Sequence, residues 1–300
     1  MPAKLRIGLV GVGPWGQHIL RDLKSLGVVV HACVRSQESL QRARAGGADS
    51  IVCDLAGLSL CDGYVVASST SSHLDIVEVL LQRRKPIFVE KPLINDLDRI
   101  ERLPAIAADL VFTMHKWRYH PGILELRRIV ETGEFGQPLG IRSFRLGTES
   151  QQQDVIPVWT LLPHDLSIFL HILDAMPQLK SVWQEPLGPH EGLIARYQVG
   201  DVSCVAEVSS GHVLKRRGVV LRCRDAACQL ADEDYTHIHI RSQVEGGFQT
   251  ETRTVASTMP LYTELQAFIA YLQGGPPPLT NLAEETQIVR LITHSIAQAA

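Results

Sequence analysis

The apolar run Ile7-Gly8-Leu9-Val10 ends in Gly11-Val12-Gly13-Pro14-Trp15-Gly16, and a segment of helical spacing follows, with Ile19, Leu20, Leu23 and Leu26 on one side. An apolar run without alternation suits a strand buried on both faces, as in a parallel sheet. Each glycine of the turn has its own use. Gly11 permits a tight turn, Gly13 leaves room for a pyrophosphate, and Gly16 lets the helix approach the strand. Pro14 fits a first helical turn, where one N–H is expendable. Phosphate oxygens can then meet free N–H groups at the helix N-terminus. The turn predicts dinucleotide binding at Gly11, Gly13, Pro14, Trp15 and Gly16. The bland alternative is a glycine-rich turn that binds nothing, and the flanking strand and helix weigh against it.

The alternation continues. Strands are expected at 28–34, 63–68, 85–90 and 109–114, with helices between them. Strands alternating with helices predict right-handed βαβ units and a doubly wound parallel sheet. After about residue 119 the rhythm changes to period two, in "LGIRSFRL", "LIARYQV", "SCVAEVSS", "GVVLRCR" and "THIHIRSQV". That pattern predicts an open antiparallel sheet with one covered face. One helix is expected at 161–173, with Pro163 near its start, and closing helices at 262–272 and 282–299. The fold class is therefore α/β plus α+β, with a dinucleotide-binding domain over 1–118 and a substrate domain over 119–300.

With 300 residues the chain can bury a large core, and its net charge of -3 gives no basic field for nucleic acid. No run approaches a membrane span, and no signal peptide is read at the start. The six cysteines, at 33, 53, 61, 204, 223 and 228, have no CxxC spacing, so no metal site is expected. Free thiols fit a cytoplasmic protein.

An NAD site usually ends its second strand in Asp or Glu, which bonds the ribose hydroxyls. Here Val34 takes that place, and Arg35 and Ser36 follow. A guanidinium and a hydroxyl suit a 2′-phosphate, so NADP is the expected cofactor. If Arg35 only stacks on the adenine, NAD is accepted as well.

Together the pieces "GVGPWG", "VVASSTSSH", "EKP", "RYHP", "TGEFGQPLGIRS", "PHDLSI" and "LTNLAEETQIVRLI" resemble, in order and spacing, the Gfo/Idh/MocA oxidoreductase family. The resemblance implies a Rossmann domain and an open-sheet domain often used for oligomer contacts, hence a homo-oligomer through the C-terminal sheet. It implies hydride transfer at a carbinol or carbonyl carbon of a sugar-like small molecule. The "VWTLLPHDLSIFL" region is most similar to members acting on nucleotide-linked sugars.

Ligands bind outside the carboxyl ends of strands in an open α/β sheet. Glu90, Lys91 and Pro92 fall at such an end. The resemblance makes Lys91 the proton-handling residue, Glu90 a cofactor contact, and the peptide before Pro92 often cis. It sets Ser68, Ser69 and Thr70 against the nicotinamide ribose and pyrophosphate. His73 reads equally as helix-start structure or as a cofactor contact. His164 matches the family's catalytic His, but Thr160 stands where the family has Asp. A Thr holds no negative charge, so a silent nucleotide-binding protein is the rival reading. Asp165 points about 100° from His164 on a helix and is expected to pair elsewhere. Lys116, Arg118 and Tyr119 are expected to line the substrate pocket, the alternative being an exposed basic loop. Trp159 reads as a sugar platform or a buried ring. His18 and His171 read as structural.

Overall fold

The computed structural model describes residues 4–147, 154–187, 190–231 and 236–299. The first stretch contains β1 (Arg6–Val10), α1 (Gly16–Ser25), β2 (Val29–Cys33), α2 (Gln37–Ala45), β3 (Ser50–Val52), β4 (Gly63–Val66), α3 (Thr70–Leu81), β5 (Ile87–Glu90), α4 (Leu97–Glu101), α5 (Ala107–Leu110) and β6 (Val111–Met114). A 3-10 turn, Lys116–Tyr119, leads to α6 (Pro121–Thr132), β7 (Pro138–Leu146) and α7 (Pro157–Leu173). Then come β8 (Gln178–Leu187), β9 (His190–Val199), β10 (Val202–Ser209), β11 (Arg216–Cys223), β12 (Ala226–Ala231), β13 (His237–Val244) and β14 (Gly247–Thr254). Two helices close the chain, α8 (Pro260–Leu272) and α9 (Leu282–Ala299).

The chain forms two compact units: Met1–Lys116 with Leu261–Thr286, and Trp117–Pro260 with Gln287–Ala300. This differs from a single cut at residue 118. The reason is α8. Its Leu261, Leu265, Phe268 and Ile269 belong to the apolar core of the first unit, with Leu9, Val65 and Phe88. Phe268 stacks on Phe88 with ring centroids 5.0 Å apart.

In the first unit six parallel strands run in the order β3-β2-β1-β4-β5-β6. The order reverses beside β1, so the carboxyl ends of β1 and β4 frame the crevice such sheets use for ligands. Ile19, Leu20 and Leu23 of α1 are fully buried, which explains the helical spacing after the glycine turn. Gly27, with φ +78, ends that helix as the sequence suggests.

The second unit holds an eight-stranded sheet in the order β14-β13-β12-β11-β7-β10-β9-β8. It is mixed. β7 and β10 pair in parallel, while the other neighbours are antiparallel. A parallel pair needs a long crossover, and the segment carrying α7, β8 and β9 supplies it. α7 lies on β7, β9 and β10 and is buried along most of its length. It begins at Pro157, so Pro163 sits inside the helix rather than near its start. An internal proline removes one helical hydrogen bond, and burial of the apolar residues around it offsets that loss.

Candidate functional site

The glycine turn in the first unit behaves as its spacing requires. Gly11 has φ +94, and a Cβ there would lie 2.7 Å from the Ala67 oxygen and the Ser68 nitrogen. A Cβ on Gly16 would strike the Gly11 carbonyl oxygen. At Gly13 a Cβ would meet nothing within 4 Å, so open space faces that backbone. Pro14 is exposed. No side chain caps the N-terminus of α1, which starts behind Trp15. An uncapped helix start beside an open glycine fits a pyrophosphate.

Trp15 is tied to the next strand end. Its Nε1 donates to the Glu90 carboxylate, and Lys116 Nζ stands 4.5 Å above its ring. Glu90 is nearly buried, and its Oε2 accepts the Lys91 N–H at 3.1 Å. Trp15, Glu90 and Lys116, expected in two different roles, thus meet in one cluster. Lys91 is half-buried, and the Lys91–Pro92 peptide is cis. Pro92 follows the last residue of β5 directly. The next backbone group is also held: Leu93 N donates to Glu285 Oε1 at 3.2 Å, while Glu285 Oε2 bonds the fully buried His115 at 2.7 Å.

At the end of β4, Ser68 is half-buried, Ser69 is exposed and Thr70 is fully buried. Ser72 Oγ donates to Ser68 Oγ at 2.8 Å. His73 is fully buried, and its ring nitrogens face the Ser68 and Pro92 carbonyl oxygens, each at 3.0 Å. Both nitrogens are therefore committed to backbone.

At the end of β2, Val34 is buried and Arg35 and Ser36 are exposed. Ser36 caps α2, accepting the Ser39 N–H at 3.1 Å, so its hydroxyl already has a structural task. Arg35 is exposed at the surface.

Sequence reasoning missed Glu264 and Glu285. Glu264 on α8 is fully buried. Burial, with the charge of Glu90 beside it, holds its carboxyl well above the ordinary carboxylate range, against the pull of Lys116. A lone Glu inside the apolar pattern "LYTELQAFIAYL" was the available signal.

The second unit holds the remaining candidates. Arg118 and Tyr119 are buried in the 3-10 turn, which removes the exposed-loop alternative for them. Trp159 is buried, and His164 on α7 is half-buried. Thr160 Oγ1 donates to the Pro157 carbonyl oxygen at 2.8 Å. Its hydroxyl proton is spent on the first turn of α7. Asp165 is fully buried and accepts from Arg145 Nε at 2.9 Å, so it pairs with β7 as its direction on the helix required. Arg145 also stacks 4.4 Å over Trp117.

His171 is buried, and burial first, then the Arg118 and Arg127 charges, push its pKa down to about 3. The unfolded chain binds a proton there below about 6.5, and the folded chain does not until near its own depressed value. Stability is therefore lost as pH falls below 6.5. We expect His171 to remove about 2 kcal/mol between pH 6.5 and 5, and His171→Leu to abolish that slope. Urea unfolding of both proteins across that range checks it. An equal slope in the two would contradict the assignment.

Residues 5–113 match the model of an oxidoreductase family with an NAD-binding Rossmann fold. Among curated relatives, inositol 2-dehydrogenase of Salmonella paratyphi B is 28% identical over 57% of this chain and 55% of its own length. UDP-N-acetylglucosamine 3-dehydrogenase of Acidithiobacillus ferrooxidans is 27% identical over 58% of this chain and 56% of its own. The chain thus aligns with little more than half the length of either relative. Among solved structures, an oxidoreductase from Agrobacterium radiobacter, in complex with NAD+, L-tartaric acid and magnesium, has a TM-score of 0.85 at 16% identity. That likeness covers 99% of this chain and 96% of the other. It extends the shared fold past residue 113 to the second unit. Over residues 5–113 this chain is thus similar to the Gfo/Idh/MocA oxidoreductases, with their NAD-binding Rossmann fold.

Proposed function

We propose that this chain is an NAD(P)-dependent oxidoreductase acting at the carbinol or carbonyl carbon of a sugar, cyclitol or nucleotide-linked sugar. The observation that carries the reading is the Lys91 turn. It stands at the carboxyl end of β5 in an NAD-binding domain, with its backbone fixed by Glu90. A bound nicotinamide supplies the hydride acceptor or donor. The chain supplies the rest. The glycine turn and the start of α1 receive the pyrophosphate, and Ser68, Ser69 and Thr70 hold the adjoining ribose. Lys91 exchanges a proton with the reacting oxygen, and His164 is the second proton carrier. Lys116, Arg118, Tyr119, Trp159 and Thr160 belong to the substrate. The inositol and nucleotide-sugar relatives support that substrate class.

NADP is the preferred cofactor in this reading. The exposed Arg35 and the absence of a carboxylate after β2 support it. Arg35→Ala is expected to weaken NADP binding about tenfold and leave NAD binding nearly unchanged, the loss matching one charge-assisted hydrogen bond. Cofactor titration by protein fluorescence reads this directly. Equal losses for both cofactors would return Arg35 to adenine stacking. Trp183 and Phe248, exposed on the second unit's sheet, support assembly of copies through that sheet; a cytoplasmic location belongs to the same reading and rests on the free thiols.

A second reading is favoured by Thr160, whose hydroxyl is turned to Pro157. The protein would then bind nucleotide without turnover. The test is absorbance at the reduced-nicotinamide band across a panel of polyols and nucleotide sugars. A redox change with one compound supports the oxidoreductase. Cofactor binding with no change across the panel supports the silent binder.

A further inference from the structure

Three side chains hold the Lys91–Pro92–Leu93 backbone in the first unit. Glu90 Oε2 accepts the Lys91 N–H at 3.1 Å, and Glu285 Oε1 accepts the Leu93 N–H at 3.2 Å. His73 Nδ1 lies 3.0 Å from the Pro92 carbonyl oxygen. The opposite nitrogen, Nε2, lies 3.0 Å from the Ser68 carbonyl oxygen. Both oxygens can only accept. A neutral imidazole donates from one nitrogen and presents a lone pair at the other. One contact would then set that lone pair against a carbonyl oxygen at hydrogen-bond range. His73 has 0% exposure, so water does not relieve the clash. An imidazolium donates from both nitrogens and satisfies both contacts.

We propose that His73 is an imidazolium strap, a positioning residue that ties the Ser68 loop after β4 to the turn after β5 and so fixes where Lys91 stands. Its charged surroundings are mixed. The first turn of α3, on which it sits, opposes a cation. Asp75 on the same helix is committed to Arg99 at 2.7 Å. The turn brings Glu90, and the start of α9 brings Glu285, itself bonded to His115. Two carboxylates thus flank the turn that the imidazolium holds.

The strap's effect on turnover rests on the oxidoreductase reading, but its protonation does not. The first test uses the full-length protein labelled with 15N-histidine. Long-range 15N–1H correlation should show both His73 ring nitrogens protonated at neutral pH and above, with the signal assigned by its loss in His73→Gln. A single neutral tautomer at neutral pH would overturn the proposal. The second test is kinetic. His73→Gln places N–H donors at one end of the side chain only and an acceptor oxygen at the other, and kcat should fall roughly 100-fold for a misplaced proton carrier. The high-pH arm of the wild-type kcat profile that reports His73 should vanish. A uniform loss with that arm retained would mark a merely structural residue and sink the strap. If no compound of the panel turns over, the oxidoreductase reading fails, and the NMR result alone decides the strap.

Discussion

Replacing Lys91 by Ala should remove most of the turnover, with a fall of about 100- to 10,000-fold in kcat, while cofactor affinity is largely kept. The magnitude is that of a lost proton donor at an oxygen whose charge changes as the hydride moves. Lys91 sits half-buried between Glu90 and a cis-proline turn. The backbone there is held by Glu90 and Glu285, neither of which the substitution touches. Gly13 and the start of α1 remain as they were, so the pyrophosphate site proposed there is unaltered. Lys91→Arg should be nearly as slow as Lys91→Ala, because a guanidinium keeps its charge but does not give up its proton near neutral pH. Single-turnover rates with the best panel substrate, read beside cofactor titrations, separate the two effects. A near-normal rate in Lys91→Ala would remove Lys91 from the chemistry.

Asp165→Ala should cost about 3–5 kcal/mol of stability, because it removes the carboxylate that neutralises the buried Arg145 guanidinium. Arg145 and Asp165 are 4% and 0% exposed, with 2.9 Å between Nε and Oδ1. Burial raises the Asp165 carboxyl from its ordinary value, and Arg145 pulls against it. The pair is thus expensive to bury and more expensive to break. The matching control is the double variant Asp165→Leu, Arg145→Met, which removes both charges. It should recover most of the loss, since apolar residues of similar volume often replace a buried pair without penalty. Calorimetric melting of the three proteins checks this, with a fall of about 10 °C expected for the single variant. If Asp165→Ala melts with the wild type, the pair contributes nothing to the fold.

Much of the first unit could be read locally. The apolar run before Gly11, the helical spacing after it and the Gly27 stop each depend on residues a few positions apart. The turn at Glu90-Lys91-Pro92 was legible for the same reason. The second sheet was harder. β14, "GFQTETRT", is exposed at nearly every position, and nothing in its polarity marks it as a strand. It exists because β13 offers it a backbone ladder. β3, β8 and β12 also escaped, being short or of weak alternation. The α7 start was misplaced because two prolines both suit a first turn, and only packing selects Pro157.

The sequence by itself determined the glycine turn and the alternation that builds the parallel sheet, while the candidates Lys91 and His164 came from the family resemblance. It also pointed Asp165 away from His164, since a helix fixes directions within one turn. Tertiary structure decided the rest. It placed α8 in the core of the first unit, paired β7 with β10, and brought Glu285 and His73 onto the Lys91 turn from far along the chain or from the neighbouring loop. The physical reason is reach. Periodicity and turn chemistry act over a few residues. The partner of a buried carboxylate or a backbone N–H is chosen by whichever distant group the packed core delivers to it.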